Sequence, residues 1–444
     1  MNGYFTAQQI FDRSAELIGS RTGLITPPGE LLAESGNPEI IVYSSALSRL
    51  EQAMGHIELR ADDGLLMAGS GSSMDRDLAR SKAICEALER YCNLSYDPAA
   101  VVVASRDELG EAALDLNLYH RGLDSEYRIA SAHVPPDNAA RMRWVKGNSL
   151  IDGRELWVPF AAVYISTPYK YPGEAFVIPI STGCALAANF ERAAVSGTLE
   201  LIERDTLSLT WLQQMPLRRI DYSASTNPEL WERIRRIEAA GIEQHFFDAT
   251  TDLGFPTAYL IQTSSRGDLH LLVMAATRFN MEDAMIRVMD EASSSRAALE
   301  KLARKPPLYD PANFGSFTRL TDGAVYYADR RNSEAFDFLL RDPPTVALAD
   351  VRRVDAADER QMIAQVANTF AGRGLELVAV DITVPQLRQL GISVVRMLAP
   401  QLLPLTVNYN MKYGATPRLY DAPARMGHPV RAFADLNRWP QPFA

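Results

Sequence analysis

The sequence predicts an α+β fold, with mixed or antiparallel sheets and separate long helices. The first observation is a long pattern of helical period over residues 189–214 and again over 281–304. The second is a pair of apolar runs at 254–264 and 268–279, which predicts two adjacent strands. Because paired strands and long helices do not alternate regularly, we expect an α+β arrangement rather than an alternating parallel sheet.

Shorter segments are compatible with the same fold class. Residues 64–77 predict a strand or turn that runs into a helix, with Ser73 or Asp75 as the N-cap. Short apolar runs predict further strands at 99–105, 156–165, 345–354, 375–383 and 392–400.

Composition and charge exclude several functional classes. The chain has 444 residues and a net charge of −10, with no basic run that would neutralise a phosphate backbone, so we expect no nucleic-acid partner. No apolar stretch approaches the roughly 20 residues that a membrane helix needs, and the first residues do not resemble a signal peptide. Three cysteines are too few for a disulfide framework, so we predict structural cysteines in a cytoplasmic protein.

One motif, Glu-x-x-Glu-Arg, occurs twice. Its two copies are Glu86, Glu89 and Arg90, and Glu200, Glu203 and Arg204. Residues three or four apart are neighbours on a helix, so each copy forms a stripe, which Lys82 extends in the first helix and Ser196 in the second. The adjoining apolar sides are predicted to contain Leu78, Cys85, Leu88 and Cys92, and Val195, Leu199 and Ile202. The shared format indicates an internal pseudo-repeat of one helix.

Carboxylates at the border of a core need a positive partner, because a buried charge must be paired. If the two helices face each other, four carboxylates converge, and a cation is expected between them. Oxygen ligands without Cys or His suit Mg²⁺, which usually takes one or two carboxylates plus phosphate oxygens. With the flanking arginines, this pattern indicates a nucleoside triphosphate site, although the sequence has no P-loop motif. On the residues alone, two solvated helix surfaces are the alternative interpretation.

Longer segments resemble the YcaO family. The segments "SKAICEALERY" and "STGCALAANFERAAVSGTLELIERDTLSLTW" are similar to its two signature helices, and "EDAMIRVMDEASSSR" is similar to its third active-site helix. The resemblance continues in "AVDITVPQLRQLGISVVRMLAPQLLPL" and the closing "DLNRWPQPFA", and it covers the chain from about residue 60 to the end. It implies the YcaO fold, ATP and Mg²⁺ as cofactors, and ATP-dependent activation of backbone amides.

The resemblance also implies roles for individual residues. Mg²⁺ would be bound by Glu86, Glu89, Glu200 and Glu203. Nucleotide contacts would come from Ser70, Gly71, Lys82, Arg90, Ser196, Arg204, Arg287 and Glu291. The C-terminal tail, residues 436–444, would enter the active site, with Pro440, Pro442 and Ala444 as catalytic positions and the terminal carboxylate as a general base.

Some positions depart from the usual pattern of the family. Lys82 stands where many members have serine, and Ser70 lies where Gly-Lys-Gly is frequent. Ser294 replaces a frequent glutamine of the third helix, and the tail lacks the last proline of a Pro-x-Pro-x-Pro ending. These departures concern details of nucleotide contact rather than the class of protein.

The resemblance implies a cyclodehydratase that converts Cys, Ser or Thr of a ribosomal precursor peptide to thiazoline or oxazoline, as in the biosynthesis of modified microcins. Two other interpretations stay open: another YcaO reaction, either thioamidation or macroamidine formation, and a non-catalytic ATP-binding accessory or scaffold protein.

The expected organisation is an N-terminal segment, residues 1–60, packed on a catalytic domain of residues 61–444. Because neither part resembles a leader-binding domain, we expect a separate ubiquitin-activating-like or ocin-ThiF-like partner protein. A flavin-dependent azoline dehydrogenase and a second copy of the chain are further candidate partners.

Overall fold

The computed structural model describes residues 7–48, 67–130, 132–165 and 167–443. Its strands are β1 (Gly29–Leu31), β2 (Ile41–Ala46), β3 (Ala68–Ser73), β4 (Val102–Ala104), β5 (Met142–Ser149), β6 (Glu155–Pro159), β7 (Cys184–Ala187), β8 (Arg218–Asp221), β9 (Ile242–Asp248), β10 (Thr257–Ser264), β11 (Leu271–Thr277), β12 (Thr345–Ala347), β13 (Val378–Asp381) and β14 (Ser393–Leu398). Its α-helices are α1 (Ala7–Ser14), α2 (Arg76–Leu94), α3 (Arg106–Leu109), α4 (Asp124–Ile129), α5 (Phe160–Val163), α6 (Phe190–Gln213), α7 (Pro228–Ala239), α8 (Met281–Ala303), α9 (Leu320–Tyr326), α10 (Asp337–Leu340), α11 (Glu359–Gly372), α12 (Pro385–Gln389) and α13 (Arg418–Arg425).

The described strands form three sheets, in which most pairs are antiparallel. The sheet orders are β1-β2-β3, β11-β10-β9-β8-β12 and β4-β5-β13-β14-β7, with β6 beside β5. Strand β12 pairs parallel with β8, so the second sheet is mixed. The two strands predicted to be adjacent are β10 and β11, which pair antiparallel from Thr257 opposite Thr277 to Thr263 opposite Leu271. The prediction of an α+β fold with antiparallel and mixed sheets is confirmed.

Three strand–helix units surround the centre of the molecule. Strand β3 leads into α2, β7 into α6 and β11 into α8. Helix α2 packs against β3 and β7, α6 against β7 and β11, and α8 against β11 and β3, so the three units close into a ring. The predicted pseudo-repeat of two helices thus has a third, similarly built member.

The three long helices begin in the same way. The N-cap side chains of Asp75, Asn189 and Asn280 each accept a hydrogen bond from the backbone N–H three residues later. Such caps satisfy N–H groups that have no partner within the helix. Of the two N-caps predicted for α2, Asp75 is correct, while the hydroxyl of Ser73 accepts a hydrogen bond from the N–H of Asp75.

The apolar side predicted for α6 is buried, but the one predicted for α2 is partly wrong. Leu78 is 41% exposed, and Cys85 is only half-buried. At about 100° per residue, residues 78, 85 and 92 lie within about 40° of one another, but the buried side of α2 is centred near Ala87, so Leu78 and Cys85 lie outside it. The buried side of α2 comprises Ala79, Ala83, Ile84, Ala87, Leu88, Tyr91 and Cys92.

Several predicted strands are shorter than expected, and two of them, 156–165 and 345–354, are cut most clearly by other structure. The run 156–165 is a strand only as far as Pro159, after which Phe160–Val163 forms a helical turn. A continuous apolar run has no period that distinguishes a buried strand from a buried helix. Of residues 345–354, only Thr345–Ala347 forms a strand.

The described N-terminal residues, 7–48, contact the rest of the chain at several points. The guanidinium of Arg80 in α2 lies 4.2 Å from the centre of the Phe11 ring in α1. Strands β1 and β2 share a sheet with β3. The predicted boundary between residues 60 and 61 lies outside the described residues, so the division into two parts stays a prediction. No helix in the described ranges is long and apolar enough to cross a membrane.

Candidate active site

A cavity of 1560 Å³ lies among the three strand–helix units. All of the residues predicted to contact nucleotide or metal line it: Ser70, Gly71, Lys82, Glu86, Glu89, Arg90, Ser196, Glu200, Glu203, Arg204, Arg287 and Glu291. The structure therefore brings both copies of the motif, and the third helix, to one place.

The first motif is held by its own strand–helix unit. The Glu86 carboxylate accepts a hydrogen bond from the backbone N–H of Ser70 in β3 (2.7 Å) and pairs with Arg90 (3.0 Å). Strand β3 packs directly on the backbone of α2, since a Cβ at Gly71 would lie 2.2 Å from the carbonyl oxygen of Ala79. Gly71 therefore lets β3 approach α2 closely enough for the N–H of Ser70 to reach the Glu86 carboxylate.

The second motif repeats this geometry. The Glu200 carboxylate accepts a hydrogen bond from the backbone N–H of Gly183, just before β7 (3.0 Å), and pairs with Arg204 (3.2 Å). A glycine again permits the close approach, because a Cβ at Gly197 would lie 2.5 Å from the carbonyl oxygen of Gly183. The two motifs therefore share a hydrogen-bonding pattern as well as a sequence pattern.

The third unit contributes a pair in reversed order, with Arg287 four residues before Glu291 and 2.6 Å from it. It also contributes Arg278, a cavity residue that the sequence interpretation missed. Burial lowers the pKa of Arg278, and nearby Arg287 lowers it further, so a negative ligand would stabilise both cations. The signal for Arg278 was weak, because it lies in the turn between β11 and the N-cap of α8, outside any helical pattern.

The surroundings of two motif carboxylates raise their pKa and so favour the protonated form. Burial, opposed by Arg204, raises the pKa of Glu203 to about 8. Burial, opposed by Arg90, raises the pKa of Glu89 well above its usual range. The Arg90 atoms Nε and Nη1 and the Arg204 atom Nε are buried without a hydrogen-bond partner. Unpaired donors beside carboxylates that need a cation fit a magnesium-bound phosphate chain.

The four carboxylates do not gather around one centre. Within the described ranges, no three side chains of His, Cys, Asp or Glu lie close enough together to hold one metal ion. Binding of several Mg²⁺ ions between the two stripes therefore stays a prediction. The donor set fits ions that each take one or two carboxylates and complete their shell with phosphate oxygens and water.

Lys82 is already paired. Its Nζ donates to Asp290 Oδ2 (2.9 Å) and to the carbonyl oxygen of Ser72 (2.8 Å). Asp290 also accepts from Arg233 Nε (2.8 Å), so one buried carboxylate balances two cations. Burial lowers the pKa of Lys82, with a further contribution from Arg287. A contact of Lys82 with nucleotide stays a prediction, because part of its hydrogen-bonding capacity is used by Asp290.

The C-terminal tail is docked rather than frayed. The carbonyl oxygens of four successive residues, 437–440, each accept a hydrogen bond from a side chain. Lys412 donates to Asn437 (2.9 Å) and Tyr409 donates to Arg438 (2.7 Å). Trp211 donates to Trp439 (3.1 Å) and Tyr327 donates to Pro440 (2.6 Å). Pro440 and Pro442 are buried and do not line the cavity. Phe443 contacts Arg204, with 4.4 Å between the guanidinium carbon and the ring centre. Ala444 lies outside the described residues.

The fold and the site together define an ATP- and Mg²⁺-binding α+β protein without a P-loop. The chain belongs to the YcaO family: the family model described as YcaO cyclodehydratase, ATP- and Mg²⁺-binding, matches residues 70–403. A curated relative, an uncharacterized protein of Methanothermobacter thermautotrophicus, is 28% identical over 241 residues, which are 53% of this chain and 59% of the relative.

Solved structures share the fold. A heterocyclase in complex with substrate and cofactor has a TM-score of 0.80 at 22% identity, over 99% of this chain and 57% of that one. The YcaO protein of Methanopyrus kandleri bound with AMPPCP and Mg²⁺ has a TM-score of 0.61 at 16% identity, over 89% and 90%. The E. coli microcin synthetase McbBCD complex has a TM-score of 0.59 at 12% identity, over 84% and 87%. The chain thus spans less than two thirds of the length of the curated relative and of the substrate-bound heterocyclase.

Proposed function

We propose that this protein is an ATP-dependent cyclodehydratase that converts Cys, Ser or Thr of a precursor peptide to thiazoline or oxazoline. The observation that carries the proposal is the meeting of paired carboxylates and arginines from three helices in one cavity that a docked C-terminal tail adjoins. A scaffold protein has no evident need for buried acids that lack a cation.

The residues of this chain would bind and orient the nucleotide. Mg²⁺, held by Glu86 and Glu89 on one side and by Glu200 and Glu203 on the other, would neutralise charge on the phosphates. Arg90, Arg204 and Arg287 would donate to phosphate oxygens, and Glu291 would hold Arg287 in place. Ser70, Gly71, Lys82 and Ser196 would complete the nucleotide-binding wall. Phosphoryl transfer needs such positioning and charge neutralisation more than covalent catalysis.

The proposed chemistry follows from the need to remove an amide oxygen. A substrate thiol or hydroxyl adds to the preceding amide carbonyl and loses its proton. The resulting oxyanion attacks the γ-phosphorus of ATP, and ADP leaves. Loss of the amide proton and departure of phosphate, which carries the former carbonyl oxygen, form the C=N bond of the ring. The carboxylate of Ala444 is the proposed base for the first proton.

We also propose that a separate protein delivers the peptide. The McbBCD microcin synthetase, a solved structure of similar fold, is a complex of several proteins, which supports the proposal of partner proteins. Another solved structure of similar fold is a heterocyclase with bound substrate, which supports the proposal of a peptide substrate. A ubiquitin-activating-like or ocin-ThiF-like protein is the proposed leader-binding partner. Weak leader binding by this chain alone, restored by that partner, is the expected calorimetric result.

An isotope experiment tests the reaction. A peptide with ¹⁸O in the amide carbonyl before a single Cys is incubated with protein, partner, ATP and Mg²⁺. The expected result is a mass loss of one labelled water, about 20 Da (about 18 Da without the label), and ¹⁸O in the released phosphate. Ring formation that leaves the phosphate unlabelled would overturn the proposed mechanism. Thioamide formation replaces the labelled oxygen by sulfur and raises the mass. An amidine loses the same labelled water as an azoline but leaves the Cys thiol free, so alkylation of the thiol separates these two products. A scaffold gives neither product nor phosphate.

A further inference from the structure

The cavity is larger than a nucleotide alone requires. Its volume is 1560 Å³, whereas small-molecule sites usually measure roughly 300–1,000 Å³. The residues assigned to nucleotide and metal lie on β3, α2, α6 and the first half of α8. The cavity continues along the second half of α8 to the loop that follows it and to α9.

The chemistry of the cavity changes along α8. Its lining residues are charged at Asp283, Arg287 and Glu291, carry hydroxyl groups at Ser294 and Ser295, and are apolar at Ala298, Leu299 and Leu302. Spacings of three and four keep such residues on one side of a helix. Leu302 lies eleven residues beyond Glu291, which is about 16 Å along the helix axis. The charged and apolar ends of the cavity are therefore separate places on one wall.

The apolar end forms an exposed surface, which we call the apolar arm. It comprises the exposed Pro306, Pro307 and Leu308 and the half-buried Leu302, Leu320 and Val325, and Lys305 and Arg319 line its rim. Leu308 is 76% exposed, and both prolines are exposed as well. Apolar side chains that are grouped in a concave wall are typical of a binding surface, whereas single exposed ones are not.

The charge of Asp322 is turned away from this surface. Its carboxylate is buried and accepts hydrogen bonds from the backbone N–H groups of Thr318 (3.0 Å) and Arg319 (2.9 Å), so it caps α9. Helix α9 also connects the apolar arm to the tail, since a Cβ at Gly323 would lie 1.8 Å from the carbonyl oxygen of Gln441. The apolar arm therefore adjoins both the charged end of the cavity and the docked tail.

We propose that the apolar arm binds an aliphatic or aromatic side chain of the substrate peptide, close to the residue that is modified. This inference rests on the proposed function, which places a peptide in the same cavity. An extended peptide advances about 3.3 Å per residue, so about five residues span the distance from Glu291 to Leu302. The expected substrate therefore carries an apolar side chain within about five residues of the modified Cys, Ser or Thr.

A binding experiment tests this inference independently of turnover. Saturation-transfer NMR is recorded with decapeptides of Gly and Ser that carry one Cys and, five residues away, either Leu or Glu, in the presence of Mg²⁺ and AMPPCP. Wild type is compared with Leu308→Asp, which changes an exposed side chain of the apolar arm, and with Leu302→Ala. The control is Leu32→Asp, because Leu32 is 84% exposed and does not line the cavity.

The Leu methyl signal is expected in wild type and in the Leu32→Asp control, and at least fivefold weaker in both variants of the apolar arm. The Glu peptide has no methyl group and provides the baseline of the methyl region. Equal methyl signals in all four proteins, or no signal in any of them, would overturn the inference. Failure of the isotope experiment with retained methyl binding would instead remove the proposed reaction and leave the binding site.

Discussion

The ring of Phe443 lies against the guanidinium of Arg204, 4.4 Å from its carbon atom to the ring centre. Phe443 is 1% exposed, and Arg204 pairs with Glu200 on the same stripe. The second residue from the C-terminus therefore covers an arginine of the proposed nucleotide site. Phe443 follows the second proline of the tail, in a sequence that lacks the third proline usual in the family.

Phe443→Leu is expected to weaken nucleotide binding. A cation–π contact with a desolvated arginine contributes about 1–2 kcal/mol to the folded state, and because Arg204 loses the ring that holds its guanidinium in place, the KM for ATP should rise. Phe443→Tyr, which keeps an aromatic face, should restore most of the affinity. If Phe443→Leu and Phe443→Tyr have the same KM for ATP, the ring only fills space, and Arg204 does not depend on it.

The tail itself is tested by truncation and by extension. If the terminal carboxylate is the base, adding three residues after Ala444 should depress ring formation strongly, because a base must lie within hydrogen-bond reach of the proton. Deleting Pro440–Ala444 should do the same. ATP affinity should change much less in the extended protein, since Phe443 is retained. Peptide mass loss measures ring formation, and full activity of the extended protein would rule out the general-base role.

Asp290→Asn is expected to destabilise the fold. Asp290 is 2% exposed and balances Lys82 and Arg233, so losing its charge leaves two partly buried cations underpaired. The free energy of unfolding should fall by about 3 kcal/mol. The matched control is Asp77→Asn, which removes one member of an exposed pair with Arg80 and should cost less than about 1 kcal/mol. Urea unfolding measures the free energy of unfolding of both variants. Equally small losses would show that the charge of Asp290 does not balance Lys82 and Arg233.

His120 predicts a pH dependence of stability. Burial lowers the pKa of His120 to about 4, and the ring packs against Tyr413. The folded state therefore binds fewer protons than the unfolded state between about pH 6.5 and 4, so this stabilising contribution is complete above pH 6.5 and is lost as the pH falls. The loss should reach about 3 kcal/mol.

His120→Phe provides the comparison for this prediction, because it keeps an aromatic ring without a titrating group. Unfolding free energies are measured for both proteins from pH 7 to the lowest pH at which both fold. Their difference should shift in favour of the variant as the pH falls. Parallel curves would show that His120 does not titrate as its burial indicates.

Which residues bind nucleotide and metal stays a prediction of the family resemblance, but periodicity and motif spacing did predict the three long helices and the two acid stripes. That success has a local cause, because acids three and four residues apart fix their own relative placement on a helix. The ring of three units was not predictable, since it depends on which strands pack against which helices over distances of a hundred residues. Arg278 was missed because it lies in a turn, and Leu78 was misplaced because the buried side of α2 is centred near Ala87, on the other side of the helix.

The docking of the tail was expected from family resemblance, but its means of attachment was not visible in the sequence. Lys412, Tyr409, Trp211 and Tyr327 come from three separate segments, and each donates to a carbonyl oxygen. Carbonyl acceptors carry no sequence signal, so only the structure identifies these contacts. The apolar arm likewise depends on the juxtaposition of α8, the loop after it and α9.

The central claim is that the two acid stripes form the Mg²⁺-nucleotide site. Calorimetric titration of AMPPCP with Mg²⁺ into wild type, Glu89→Gln and Glu203→Gln tests it most directly. Each variant removes the negative charge of one side chain while keeping the shape of that side chain. Because a buried charge without a bound cation is unfavourable, its removal should leave the fold intact. Glu111→Gln, on an exposed turn outside the cavity, is the control.

The account predicts Mg²⁺-dependent binding to wild type and to Glu111→Gln, and loss of that binding by a factor on the order of 10² or more in the two motif variants, with ATP turnover falling in parallel. Thermal unfolding of the metal-free variants should occur at or above the wild-type temperature. Wild-type affinity for Mg²⁺ and AMPPCP in either Glu89→Gln or Glu203→Gln would contradict the placement of the site.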